Sequence, residues 1–285
     1  MKLNDQTKKL ISLALTEDIG KQDITTSLIV DRKLMGTATV VVKTNGIICG
    51  IEIAKYICRR FDKRIKIKTF VKEGELVTAN QKIAEIYGNY SSLLTLERTL
   101  LNFMQRMSGI ATTANEFVKK LSGTKAVLLD TRKTAPGHRL LDKYAVKIGG
   151  GKNHRIGLFD MILIKENHNA AAGSITKAVK KVMMQKPNGI KVEVETTNLK
   201  EVKEALLSGA DLIMLDNMNL TTMKKAVKLI NSKCKVEASG GITLNNVRKI
   251  AMTGVDFISV GSITHSVRAL DISMYIKTKT NSLSI

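Results

Sequence analysis

The sequence predicts an α/β protein in two parts, a mixed α+β domain followed by a parallel β/α barrel, and three observations carry that prediction. Six short β-branched runs alternate with amphipathic helical stretches between residues 126 and 260, which is βα repetition. A helical crossover returns the chain in the same direction, so these strands pair in parallel. Polar groups recur at the carboxyl ends of the runs, at Asp130, Lys165, Glu193 and Glu195, Asp216, Ser239 and Gly261. Groups on every strand end converge around a barrel mouth, whereas an open doubly wound sheet gathers its site at one switch point; the spacing favours the barrel. The first hundred residues lack this repetition.

Taken in order, an amphipathic helix is expected around 5–16, then the loop TEDIGKQDITTSL, the strand GTATVVVK, a helix near 51–61, and the strands IKIKTF and QKIAEIYG. Turns fall at Thr44–Gly46 and Glu73–Gly74. This mixture suits an antiparallel sheet with helices on it. Two long helical segments, 92–107 and 109–123, lead onward, with a domain boundary near Ser108–Gly109. The division is therefore 1–108, 109–265 for the barrel, and a tail over 266–285 free to pack back on the first domain. The barrel strands are AVLLD (126–130), MILIK (161–165), IKVEVE (190–195), DLIMLD (211–216), CKVEAS (234–239) and DFISV (256–260). Four helical stretches among them open on the cap candidates Ser174, Asn198, Asn219 and Thr243, and two close on Gly209 and Gly254.

Composition narrows the class. With 285 residues, 44% apolar and 25% charged, 20 Gly and 2 Pro, the chain is globular and long enough for a real core. No apolar run approaches the roughly 18–20 residues that span a bilayer, and MKLNDQTKKL has no apolar leader core, so a cytoplasmic protein without a membrane partner is expected. Cys49, Cys58 and Cys234 are odd in number and lack CxxC spacing, which fits reduced thiols better than disulfides or zinc. The net charge of +21 raises the question of nucleic acid. Lysines lie singly or in pairs within helical patterns, as at Lys119–Lys120, Lys180–Lys181 and Lys224–Lys225, and Trp is absent. Solvated helix faces and anionic small substrates explain the charge better than a nucleic-acid groove.

The segment LDTRKTAPGHRLLDKYAVKIGGGKNHR (129–155) is the richest in chemistry. Arg132 and Lys133 follow a strand, and a glycine triplet precedes His154 and Arg155. Guanidinium groups bind carboxylates and phosphates through paired donors, so the arrangement suits a ligand with several anionic groups. Lys165 ends an otherwise apolar strand, where it either meets an anion or snorkels to solvent. Glu193 and Glu195 share a strand face while Val192 and Val194 face the helices. With Asp216 they suit Mg²⁺, sugar hydroxyls, or a charge-balancing network with the cations. EASGGITLNN and SVGSITHS place glycine and hydroxyl groups between strand and helix, a phosphate-binding arrangement that fits neither GxGxxG nor the P-loop.

These strings, with VEVE, IMLDNM and GVDFISVGSITHSVRALDIS, resemble the quinolinate phosphoribosyltransferases nearly end to end, including EDIGKQDITTSL and ERTLLNFMQRMSGIAT. The resemblance implies an N-terminal α/β sandwich followed by an open α/β barrel. It also implies transfer of phosphoribosyl from phosphoribosyl pyrophosphate to quinolinate with decarboxylation, on the route to NAD. It gives Arg132, Arg155 and Lys165 the two carboxylates of quinolinate, with Lys133 and His154 beside them. Lys133 and Lys165, with Glu195 and Asp216, are then the catalytic set. Glu195 and Asp216 would meet the ribose hydroxyls and Mg²⁺, with Glu193 an alternative for the first role, and Ser239, Gly240, Gly261 and His265 would line the phosphates, joined by Lys133. Arg98 resembles an arginine that reaches a neighbouring subunit's pocket in a homodimer or hexamer; its alternative is an intrahelical charge partner. A related protein of molybdenum-uptake operons shares the TRK and HR pattern but lacks the strand-end lysine, so Lys165 stands against it.

Overall fold

A computed structural model describes residues 3–278. The chain divides into two compact units, Met1–Thr113 with Ala135–Gly149 and Val267–Ile285, and Ala114–Thr134 with Gly150–Ser266. Helix α1 (Asp5–Ile19) starts on Asn4, whose side chain accepts the Thr7 N–H at 2.9 Å. The segment read from the sequence as a loop contains a second helix, α2 (Ile24–Ile29), because Asp23 caps it by accepting the Thr26 N–H. Next come β1 (Met35–Val42), β2 (Gly46–Ile47), α3 (Ile51–Phe61), β3 (Lys66–Thr69), β4 (Leu76–Val77) and β5 (Lys82–Asn89). Every second residue of β1 is buried, the period-two signature of a sheet with one covered face. Strands β1, β5 and β3 pair antiparallel, and α3 turns Ile53, Ala54 and Ile57 into the core.

The two helical segments expected on either side of Gly109 are one helix, α4 (Tyr90–Leu121). Glycine at 109 serves close packing: a Cβ there would lie 2.2 Å from the Arg268 carbonyl oxygen. Gln105 fastens the same returning strap, its carbonyl accepting the Leu270 N–H at 3.0 Å and its side chain donating to the Ile272 carbonyl at 2.8 Å.

Strand β6 (Val127–Leu129) opens the parallel sheet, and α5 (Arg139–Ile148) follows it. The sheet continues through β7 (Ile162–Ile164), α6 (Glu166–Ala172), α7 (Ile175–Gln185), β8 (Val192–Thr196), α8 (Leu199–Leu207), β9 (Leu212–Asp216) and α9 (Leu220–Ile230). It ends with β10 (Lys235–Ser239), α10 (Val247–Ala251), β11 (Phe257–Ser259) and α11 (Ser262–His265). The spatial order is β6-β11-β10-β9-β8-β7 with all neighbours parallel. Among the described residues β6 and β7 do not pair, so the barrel is open. Finally β12 (Ile272–Thr278) adds to the first sheet, antiparallel to β1.

Ser174, Asn198 and Asn219 cap their helices as the sequence suggests, each accepting an N–H three residues on. Thr243 does not. The helix starts only after Asn246, without a side-chain cap bond, so α10 is five residues long, and the Thr243 N–H donates to Asn246 Oδ1 within the loop before it. That extra loop belongs to the mouth of the barrel.

Candidate active site

A cavity of about 680 Å³ lies at the carboxyl ends of the parallel strands. Arg132 and Lys133 reach it after β6, and His154 and Arg155 from the loop before β7. Lys165 follows β7, Glu195 lies within β8, Asp216 ends β9, and Ser239 ends β10 with Gly240 after it. Gly261 and His265 close the circle after β11. Eleven of the residues read from the sequence thus line one space, because short parallel strands all terminate at the same rim.

The cationic wall is held from behind. The His154 N–H donates to the buried Asp130 carboxylate at 2.9 Å, and the Arg155 guanidinium donates to the Met161 carbonyl at 3.1 Å. Burial, and then the Arg132 charge, pull the Arg155 pKa below its ordinary value. Two guanidinium groups that repel each other across a shared space favour a bound anion there. The Lys165 ammonium donates to Glu195 Oε2 at 2.6 Å, so the strand-end lysine meets its anion within the protein while its side chain stays 48% exposed. Lys133 runs past Gly261, where a Cβ would come within 3.1 Å of its Cδ, and its carbonyl accepts the Thr264 hydroxyl at 2.7 Å.

Beneath these lies a buried group that joins His154 and Glu193, both candidates from the sequence, to Glu237, which was not one. His154 Nδ1 accepts the Arg155 N–H at 2.8 Å. A backbone N–H can only donate, so Nε2 carries the ring hydrogen and donates to Glu193 Oε2 at 3.0 Å, with Glu237 Oε2 at 3.5 Å. Glu193 and Glu237 are both 0% exposed, and burial raises their pKa values to about 7 and about 8. Their mutual repulsion adds to the second, so the pair holds a proton at neutral pH. The ligand atoms of His154, Glu193 and Glu237 lie within 4.8 Å of one another, close enough to surround a metal ion. The ring hydrogen on Nε2 already closes that group by hydrogen bonding.

Three residues singled out in the sequence sit elsewhere. Glu193 is in the layer below the cavity wall, so of the two strand-mates only Glu195 faces the open space. Arg98 is exposed on α4, in the other unit. Asp130 is fully buried and serves the His154 backbone.

The family model for the C-terminal domain of quinolinate phosphoribosyl transferase matches residues 110–275, and the model for its N-terminal domain matches residues 23–108. The chain belongs to the quinolinate phosphoribosyltransferase family. It is 46% identical over 291 residues to the chloroplastic nicotinate-nucleotide pyrophosphorylase (carboxylating) of Arabidopsis thaliana, covering 95% of this chain and 83% of that protein. A probable nicotinate-nucleotide pyrophosphorylase (carboxylating) of Bacillus subtilis is 43% identical, covering 94% of this chain and 93% of that one. The solved nicotinate-nucleotide pyrophosphorylase from Francisella tularensis superposes with a TM-score of 0.93 at 45% identity, over 97% of this chain and 98% of that one.

Among the cavity residues of this quinolinate phosphoribosyltransferase-family chain that sequence reasoning passed over are Glu237 and Asn217. Glu237 could have been found by parity: it stands two before Ser239 on a strand whose Val236 and Ala238 are apolar, the pattern that singled out Glu193 and Glu195. Asn217 directly follows Asp216, but its left-handed φ of +53° has no clear signature in the sequence.

Proposed function

We infer that this chain transfers the phosphoribosyl group of phosphoribosyl pyrophosphate to quinolinate with decarboxylation, yielding nicotinate mononucleotide, pyrophosphate and CO₂ for de novo NAD biosynthesis. The observation that carries this reading is one cavity lined by the cations Arg132, Arg155 and Lys165 together with the carboxylates Glu195 and Asp216. A pyridine diacid matches the first set and an activated pentose the second. Arg132, Arg155 and Lys165 take the two carboxylates, and Lys133 takes diphosphate charge beside the Gly240 and Gly261 turns, Ser239 and His265. His154 supports quinolinate through Arg155, since both of its ring nitrogens are engaged within the protein.

Loss of pyrophosphate develops positive charge at the ribose carbon and negative charge on the leaving group. Glu195 and Asp216, fixed on neighbouring strands, stabilise the first, while Lys133 and the backbone N–H groups of the glycine turns stabilise the second. Quinolinate's ring nitrogen is a weak nucleophile, so holding the ring by its carboxylates supplies proximity. Bond formation makes the ring cationic. The adjacent carboxylate then leaves as CO₂, its bonding pair stays on the ring carbon, and a proton takes its place. Glu195 and Asp216 present the hard oxygen donors that Mg²⁺ prefers, and they would hold it partly through the substrate. When bound, that ion neutralises diphosphate charge.

The same reading makes the enzyme a homodimer or hexamer in which Arg98 enters the neighbouring subunit's site, supported by its exposure on α4. It keeps the division into 1–108, 109–265 and the tail 266–285, the first boundary supported by the family-model matches that meet between 108 and 110. It places the protein in the cytoplasm, supported by three free thiols. Among the described residues no helix is long and apolar enough to cross a membrane. The test is incubation of the purified chain with quinolinate, phosphoribosyl pyrophosphate and Mg²⁺, with mass spectrometric detection of nicotinate mononucleotide. Its absence under conditions where the protein is folded would overturn the reading.

A further inference from the structure

Asn217 lies where two functional segments meet. Asp216 pairs with Ser239 across β9 and β10, and the next residue on each strand is Asn217 on one and Gly240 on the other. The Asn217 N–H donates to the Ser239 carbonyl at 2.9 Å, and its side-chain Nδ2 donates to Asp216 Oδ2 at 2.7 Å. Its amide also lies against Gly240, so that a Cβ at 240 would fall 2.2 Å from Asn217 Oδ1 and 2.5 Å from its Cγ. Both residues adopt positive φ, +53° and +89°. On its far side the same loop is tied by Asn246, which donates to the Gly241 carbonyl at 2.9 Å and accepts the Thr243 N–H at 2.8 Å.

We propose that Asn217 is a positioning residue that locks the Asp216 carboxylate and the Gly240 turn into one unit, so that the sugar and diphosphate ends of phosphoribosyl pyrophosphate meet a preset spacing. This rests on the roles given above to Asp216 and Gly240. Asparagine meets three demands together. It tolerates positive φ, its Nδ2 donates to a carboxylate, and its flat amide fits against a Cα without a side chain. Aspartate would meet the first and third but would set a second anion against Asp216. Glycine would meet only the first, which separates the amide from the backbone.

The experiment compares steady-state kinetics of wild type, Asn217→Gly, Asn217→Asp and Asp216→Ala, with thermal unfolding of each. Asn217→Gly is expected to unfold at the wild-type temperature and to raise KM for phosphoribosyl pyrophosphate about tenfold, with KM for quinolinate unchanged. Asn217→Asp is expected to raise the same KM further. Wild-type KM for phosphoribosyl pyrophosphate in Asn217→Gly, or equal increases for both substrates, would overturn the proposal. So would loss of cooperative unfolding in the Gly and Asp variants alike, which would make Asn217 a residue of the fold. If Asp216→Ala leaves that KM unchanged, the underlying assignment of Asp216 fails, whatever Asn217 does.

Discussion

Glu193 and Glu237 show how much a single residue's environment decides. In the unfolded chain each titrates near 4.5, and in the barrel burial raises them to about 7 and about 8. A carboxyl with a raised folded pKa favours the native state at low pH, and that contribution is lost as pH rises from about 4.5 through about 8. Replacing Glu237 with Gln removes one ionisation, so the melting temperature of the variant relative to wild type is expected to rise steadily from pH 6 to pH 9. A constant difference across that range would show that Glu237 does not titrate there. Lys165 is the opposite case, half exposed and paired with Glu195 at 2.6 Å. Such a pair contributes only about 0–1 kcal/mol to stability. Lys165→Ala is therefore expected to keep the wild-type melting temperature while lowering quinolinate turnover about 10²–10³-fold, as loss of one transition-state charge partner does. Normal turnover would remove Lys165 from the site. The sequence identified Lys165 because a charge ending an apolar strand stands out; it did not identify the Glu237 proton, which is held first by burial and then by the Glu193 carboxyl that the fold brings beside it.

At the scale of elements, helix α4 teaches the most. Gly109 suggests a break when read along the chain, since glycine weakens a helix by about 1 kcal/mol relative to alanine. In the fold the helix runs through it, because tertiary packing outweighs propensity and the Arg268 carbonyl needs the space. Gly109→Ala, a gain for an isolated helix, is therefore expected to destabilise the protein by about 1–3 kcal/mol through overpacking, read as a lower midpoint in urea. A raised midpoint would mean the strap at 268–270 yields. The caps follow local chemistry more faithfully. Asn219→Ala, which removes the acceptor for the Thr222 N–H at 2.9 Å, is expected to cost about 1 kcal/mol. The loop before α10 departs from its capping signal: the helix starts after Asn246 with no side-chain cap bond, and the Asn246 side chain serves the loop instead, donating to the Gly241 carbonyl and accepting the Thr243 N–H; an Asn serving a loop looks the same in sequence as one serving a helix.

For the whole molecule, the +21 charge and the exposed Arg98 are the features that reach beyond one barrel. If Arg98 completes a neighbour's site, Arg98→Ala and Arg132→Ala are each inactive alone, and mixing them under verified subunit exchange is expected to restore part of the activity. No restoration would count against a shared site. A dispersed basic surface is also expected to bind duplex DNA weakly, with affinity falling steeply between 50 and 200 mM salt and no effect of DNA on turnover at the higher salt. The sequence by itself determined the βα rhythm, the parallel strands and the cationic and acidic residues at the strand ends, because hydrophobic period and strand termini are local properties written every few residues. Only the tertiary structure decided that β12 returns to β1, that Glu195 rather than Glu193 faces the cavity, and that Glu237 and Asn217 join the site. Those facts depend on register and on contacts between residues dozens of positions apart, and no single stretch of chain contains both partners.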